Sequence, residues 1–406
     1  MNKFIVTDIS QLITNTPLFQ NKKIKKIKEE DLGIIEGAWL VINDGIIEAY
    51  GTGEIPKYFN GWRTKSAENS LVTPGLVDAH THAIFAGSRA QEFAQKLNGK
   101  TYQEIAASGG GILSSVAATR QADDSVLKKN LIRNLNAFWE WGVTTVEVKT
   151  GYGLSIPEEL RLLRIIKNFK AEAKQNLYVT CLALHGLAPP FTEHKIYAEA
   201  CRKELLPILV QENLADAVDA FIDKGYFTVE DCTAFFQDAS RLGLQVRVHA
   251  DEFSDSGASI AGVRWGAKSI DHTQYINKKA IEELSESETV AILLPGTSLY
   301  SKIPFGNART LIDQNCAVAI ATDFNPGSCR ISNLPLIATM AALHCGMTCA
   351  EVFAAVTFVP AFSLGLAEKC GHLTPGSPAN FVIHSVNNLD EWVADCGQSK
   401  PSYVHN

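Results

Sequence analysis

From about residue 70 onward the chain alternates short β-branched runs with longer stretches of helical periodicity. No other feature constrains the fold as much, because strands joined by crossover helices assemble into parallel sheets. The strand-like runs are Gly75 to His82, Val143 to Lys149, Leu177 to Leu184, Ala217 to Ile222, Leu244 to Ala250, Ser269 to His272, Thr289 to Leu293 and Ala317 to Thr322. Helical segments fill the gaps. Asp124 to Trp141 opens on acidic residues and stops at Gly142, and Pro157 to Ala173 starts with proline followed by Glu158 and Glu159, as helix N-termini prefer. Eight such units predict an α/β fold, a (β/α)8 TIM-like barrel over residues 71–370 rather than an open sheet.

The two ends read differently. Residues 1–70 and 371–406 show strands and turns without long helices between them, and are expected to form together a small composite β-sandwich domain. Trp39 to Ile42, the turn Asn43-Asp44-Gly45 and Ile46 to Ala49 read as a hairpin. A turn-rich stretch from Gly371 to Asn380 leads into a short strand at Phe381 to His384. The lysines at 22, 23, 25, 26 and 28 are followed at once by Glu29, Glu30 and Asp31, which reads as a solvated loop.

Charge and cysteine usage exclude several classes. With 37 Lys+Arg against 44 Asp+Glu the formal charge is −7, which argues against a nucleic-acid or anionic-membrane partner. No apolar run approaches the roughly 18 residues of a membrane span, and the N-terminal segment, interrupted by Asp8, does not read as a secretory signal. Nine cysteines, scattered without a CxxC pair, fit reduced thiols in the cytoplasm. Cys181 and Cys316 lie in apolar runs where core packing is the natural role.

The histidines carry the functional signal. His80 and His82 close the first strand as an HxH, and residues two apart on a strand face the same side. Alone, that pair is as easily a packing feature. His249, however, closes the fifth strand, and Asp323 follows the eighth; in a barrel all these strand ends share one rim. Three imidazoles and a carboxylate suit zinc or iron in a catalytic site with an open position, where coordinated water ionises near a pKa of about 7. Glu252, three positions after His249, and His272, ending the sixth strand, are placed for proton transfer; the plain alternatives are a loop carboxylate and a buried Asp271–His272 pair.

These residues, HxH on strand one, His on strands five and six and Asp on strand eight, resemble the amidohydrolase superfamily. The blocks His82 to Phe93, Ser108-Gly109-Gly110-Gly111-Ile112-Leu113, Lys149-Thr150-Gly151-Tyr152-Gly153-Leu154, His249 to Phe253 and Ala321 to Ser328 resemble, within it, the imidazolonepropionase family. That resemblance implies hydrolysis of 4-imidazolone-5-propanoate to N-formimidoyl-L-glutamate in histidine degradation. It implies one Zn2+ or Fe3+ per subunit on His80, His82, His249 and Asp323. It also implies substrate contacts from Arg89, Tyr152, His185 and Glu252, with Asn325, Gly327 and Ser328 at the glutamate-like end. Arg89 offers a planar fork suited to a propionate, against the ordinary alternative of a surface salt bridge. His185 is placed to donate to a ring oxygen.

Three further features receive plain readings. Gly109 to Gly111 form a tight loop, since no Lys-Ser or Lys-Thr follows as a phosphate cradle requires. Lys224 is taken as a loop residue because the resembled pattern is mononuclear. Cys329 and Arg330 stand where small residues are expected and put the shape of the product pocket in question. A small-molecule substrate is the expected partner, with a homodimer possible. Two other readings stay open: a cytosine- or guanine-type deaminase, which has no propionate for Arg89 to neutralise, and a barrel serving as a non-catalytic scaffold.

Overall fold

The computed structural model describes residues 3–100 and 110–406. Four strands come first, β1 (Lys3–Ile13), β2 (Ile34–Asn43), β3 (Ile46–Thr52) and β4 (Arg63–Pro74). Eight shorter ones follow: β5 (Leu76–Asp78), β6 (Val143–Lys149), β7 (Asn176–Leu184), β8 (Ala217–Ile222), β9 (Gln245–Ala250), β10 (Ser269–His272), β11 (Val290–Leu293) and β12 (Ala317–Ile320). Last come β13 (Phe381–Ile383) and β14 (Tyr403–His405).

Strands β5 to β12 pair in chain order and in parallel. The circle is drawn shut just beyond β5 and β12, where Thr81 bridges Phe324 in parallel. Asp323 N–H donates to His80 O at 3.0 Å, and His82 N–H donates to Phe324 O at 2.9 Å. The Asp78 carboxylate reinforces the seam by accepting the Thr322 N–H at 3.1 Å and the Thr322 hydroxyl at 2.7 Å. The barrel expected from the alternation of strands and helices is therefore the observed one. The first strand is shorter than the run Gly75 to His82, because Ala79 to His82 leave the regular ladder to make these closing contacts.

Most of the longer helices bury one face on the barrel, whereas Ala90–Leu97 buries no side chain. Asp124–Trp139 places Leu127, Leu131, Leu135 and Phe138 against the core, a helical stripe in which each side chain contributes about 1.5–3 kcal/mol by leaving water. Gly142, at φ 80°, supplies the left-handed turn into β6. Ser108 and Gly109 of the triple-glycine block lie outside the described residues, whereas Gly111, at φ 80°, precedes the helix Ile112–Gln121.

Both chain ends enter one six-stranded sheet, ordered β14-β13-β4-β1-β2-β3 and antiparallel except between β1 and β4. Phe4, Val6, Leu40, Ile42 and Phe381 belong to one apolar cluster on this sheet, and Ile5, Trp39, Val41 and Phe59 to another. This division follows from the two-residue period of strands. The hairpin turn falls where the sequence puts it, with Asp44 at φ 49° and Gly45 at φ 82°. Between β13 and β14 the short helix Leu389–Ala394 reaches back to the barrel helices, where Trp392 meets Phe353 edge to face.

Candidate active site

Closing the barrel sets three of the expected ligands side by side. Asp323 Oδ1 lies 3.3 Å from His82 Nε2 and 3.5 Å from His80 Nε2, and its Oδ2 accepts the hydroxyl of Thr297 at 2.5 Å. Thr297 stands in the helix Pro295–Ser301 that follows β11. Asp323 itself holds φ 49°, and His272, ending β10, holds φ 81°. Such left-handed backbone in non-glycine residues costs energy and gathers at functional sites.

His249, on β9, completes the group: ligand nitrogens of His80, His82 and His249 all lie within 4.8 Å of one another. His80 Nε2 and His249 Nε2 are buried without a hydrogen-bond partner. On the far side, His80 Nδ1 is hydrogen-bonded to Asp271 Oδ2 at 2.7 Å, and His249 Nδ1 faces Asp219 Oδ2 at 2.9 Å. A carboxylate on the far nitrogen fixes tautomer and ring orientation, as behind metal-bound histidines generally. Two orphaned imidazole nitrogens, a third imidazole and a carboxylate, with no thiolate among them, fit zinc or iron in a catalytic site. The charges agree. Burial and Lys149 oppose a proton on His80, yet Asp271 and Asp323 lift its pKa to about 9. Burial holds His249 down to about 4 despite Asp219. Burial opposes the charge on Asp323 as well, but the imidazoles of His80 and His82 beside it keep it well below the usual carboxylate range.

Glu252 follows β9 directly, on a loop tied down by Asp251, whose carboxylate accepts the N–H groups of Ser256 and Ser259 at 3.0 and 3.2 Å. Glu252 Oε2 lies 3.6 Å from His272 Nε2. Burial first, then Asp323 and Asp223, raise the Glu252 carboxyl well above its ordinary value, while burial holds His272 well below its own. The Asp271–His272 pair expected as the plain alternative does not form as such, since Asp271 spends its carboxylate on His80 and Lys149.

One cavity of about 830 Å³ takes in His82, His249, His272, Asp323 and Glu252 together with Arg89, Tyr152, His185, Asn325, Gly327 and Ser328. Arg89 Nε donates to Glu92 at 2.8 Å, both side chains being only 12% exposed. The fork therefore belongs to the cavity rather than to the surface. Tyr152 is carried by a loop that Glu159 organises, its carboxylate accepting the N–H groups of Gly151, Gly153 and Leu154. His185 stacks on His82 at 5.1 Å between ring centres, with Nδ1 at 3.0 Å from Gly151 O. Asn325 is consumed by its own loop: Oδ1 accepts the N–H groups of Gly327 and Ser328, and Nδ2 donates to Asp323 O and to Ser328 Oγ. Lys224 lines the cavity from the loop after β8. The two unexpected residues pack behind the pocket loop, Cys329 buried against Gly296 and Arg330 over the rings of Phe85 and Phe324 at 5.3 and 4.7 Å.

The amidohydrolase family profile matches residues 71–404. An imidazolonepropionase of Bacillus cytotoxicus is 38% identical over 384 residues, 94% of this chain and 90% of the relative. One of Bdellovibrio bacteriovorus is 40% identical over 365 residues, 89% of this chain and 86% of the relative. The chain belongs to the amidohydrolases, in the imidazolonepropionase family. Among solved structures, 5-methylcytosine deaminase from Klebsiella pneumoniae with 5-fluorocytosine matches with a TM-score of 0.73 at 18% identity, over 100% of this chain and 95% of that one. A mutant atrazine chlorohydrolase from Arthrobacter aurescens, complexed with zinc and atraton, matches with a TM-score of 0.71 at 15% identity, over 99% and 93%. At such identities the likeness is one of fold.

In this member of the imidazolonepropionase family, sequence reasoning missed the residues standing behind the ligands: Asp219, Asp271 as the partner of His80, Lys149 and Thr297. An acidic residue within an otherwise apolar strand, as in Ala217–Ile222, is the available signal, because an unpaired buried carboxylate is too costly to keep. Among the described residues no helix is long and apolar enough to cross a membrane.

Proposed function

We propose that the chain hydrolyses 4-imidazolone-5-propanoate to N-formimidoyl-L-glutamate, the ring-opening step of histidine degradation, with one zinc or ferric ion on His80, His82, His249 and Asp323. The observation that carries this reading is the shared cavity, in which the imidazole and carboxylate cluster and the Arg89 fork line the same space. When bound, the ion supplies Lewis acidity and water ionised near neutral pH.

The chain's own groups do the rest. Arg89, steadied by Glu92, receives the propionate as a charge-assisted, two-pronged contact. The ring carbonyl lies toward His82 and Asp323; His185, whose Nδ1–H is spent on Gly151 O, presents a bare Nε2 that accepts from a ring N–H rather than donating to the oxygen. Glu252, whose carboxyl burial makes a readier proton holder than an exposed glutamate, gives a proton to the ring nitrogen as the C–N bond breaks. His272, whose pKa burial holds well below its ordinary value, steadies the attacking water, and the proton that water loses returns to Glu252, which restores the resting state. A base deaminase has no propionate to neutralise, so the Arg89 fork favours the lactam over a cytosine- or guanine-type substrate.

The test is metal analysis of the purified chain paired with loss of the imidazolone absorbance. Turnover that disappears on chelation and returns with zinc or iron supports the reading. A fully metal-loaded chain that leaves the imidazolone intact ends it.

A further inference from the structure

Lys149 heads the Lys-Thr-Gly-Tyr-Gly block yet has no part in the chemistry above. It ends β6 inside the barrel with a fully buried side chain. Its Nζ lies 2.7 Å from Asp219 Oδ2, 3.0 Å from Glu147 Oε1 and 3.4 Å from Asp271 Oδ2. An ammonium has three N–H donors; here two are hydrogen-bonded, to Glu147 and Asp219, and Asp271 stands within ion-pair distance of the same nitrogen. Two of these carboxylate oxygens are shared: Asp271 Oδ2 also meets His80 Nδ1, and Asp219 Oδ2 also meets His249 Nδ1. Asp219 Oδ1 further accepts the His249 N–H at 3.1 Å.

The barrel explains the convergence. Lys149, Asp219 and Asp271 lie on β6, β8 and β10, and alternate strands of a closed barrel contribute side chains to one interior layer. Arg247 supports the cluster with Nε 2.9 Å from Glu147 Oε1. Burial works against the Lys149 charge, and Asp219, Glu147 and Asp271 outweigh it.

We infer that Lys149 is a positioning residue for the metal centre, one ammonium clamping the two carboxylates that orient His80 and His249. With the clamp in place both Nε2 atoms point to the same spot; without it, three carboxylates share only Arg247 and the two imidazoles lose their fixed backing. The inference rests on the metal reading above and is tested apart from turnover.

Wild type, Lys149→Met and Asp271→Asn are loaded with zinc and titrated with a chelator, and the visible absorption of their Co2+ forms is recorded. Removing such backing interactions typically costs about 10- to 100-fold in metal affinity. Both variants are expected to release zinc at that much lower chelator concentration and to shift the Co2+ band. The double variant is expected to lose little more than either single one, because both act through the same pair of imidazoles. If Lys149→Met does not fold, Lys149→Gln takes its place, since it removes the ammonium and keeps a polar donor, while Asp271→Asn calibrates the loss of the His80 contact itself. Wild-type zinc affinity and an unshifted Co2+ band in a folded Lys149 variant would overturn the clamp, whatever Asp271→Asn does. A wild-type chain that binds neither zinc nor Co2+ instead overturns the metal reading.

Discussion

The Arg89 guanidinium lies against Gly327, so closely that a Cβ built on that glycine would fall 1.8 Å from Arg89 Nη1 and 2.3 Å from Cζ. The glycine is there for space, since its backbone has no positive φ. Gly327→Ala is therefore expected to push the fork aside and reproduce the effect of Arg89→Ala. Charge-assisted hydrogen bonds contribute about 1.5–3 kcal/mol, so KM for the imidazolone should rise about 10- to 100-fold while kcat stays near wild type. Steady-state kinetics of both variants check this. An unchanged KM in Arg89→Ala removes Arg89 as the anchor.

Glu252→Gln should lower kcat by about 10²- to 10⁴-fold, the usual range for a lost proton donor, with metal content unchanged. Because burial raises the folded pKa well above the ordinary carboxyl value, Glu252 keeps its proton to higher pH than a free glutamate and loses it as pH rises through that raised pKa. Wild-type kcat should accordingly fall on the alkaline side, and the residual activity of the glutamine variant should lack that limb. A pH profile with the same alkaline limb in both proteins assigns the limb to another group.

Asp78 ties the barrel seam and is pushed up to about 7 by burial, against the hydrogen bonds from Thr322. In the unfolded chain the same group titrates near 3.8. Its protonated form therefore stabilises the fold fully below about pH 3.8, and that contribution is lost as pH rises through 7. Asp78→Asn stays neutral throughout. The Tm difference, variant minus wild type, should grow between pH 5 and pH 8 by roughly 2 °C or more. Parallel Tm curves for the two proteins would remove Asp78 from the pH dependence of stability.

The cavity lining includes Lys96, Lys100, Lys224 and Lys302 besides Arg89, against the two carboxylates Glu252 and Asp323. On a chain of formal charge −7, this local excess of cations draws in an anionic substrate by focusing the field. Raising salt from 50 to 500 mM should lower kcat/KM about 3- to 10-fold as the Debye length shrinks. The double variant Lys224→Gln/Lys302→Gln should flatten that dependence. A wild-type kcat/KM indifferent to salt rules the steering out.

The reading of Lys224 as a plain loop residue shows where inference from sequence stops. Its place after β8 was legible, but the cavity it lines is made by loops from the other strand ends. The same holds for Asn325. Its position in a pocket-forming block was readable, whereas its engagement with its own loop depended on the backbone path from Asp323 to Ser328.

The sequence by itself determined the barrel and its rim. Val143–Lys149, Ala217–Ile222 and Ser269–His272 are strands over the very residues that local pattern indicated. His80, His82, His249 and Asp323 could be grouped because strand ends of a parallel barrel emerge on one face. Only the tertiary structure decided what stands behind them. His80 and Asp271 are 191 positions apart in the chain, and Lys149 and Asp219 are 70 apart. Periodicity reports which face of a strand a side chain occupies, and it holds no information on which distant side chain comes to meet it. Those partners are selected when the sheet closes, because a buried charge must find its opposite within a few ångströms.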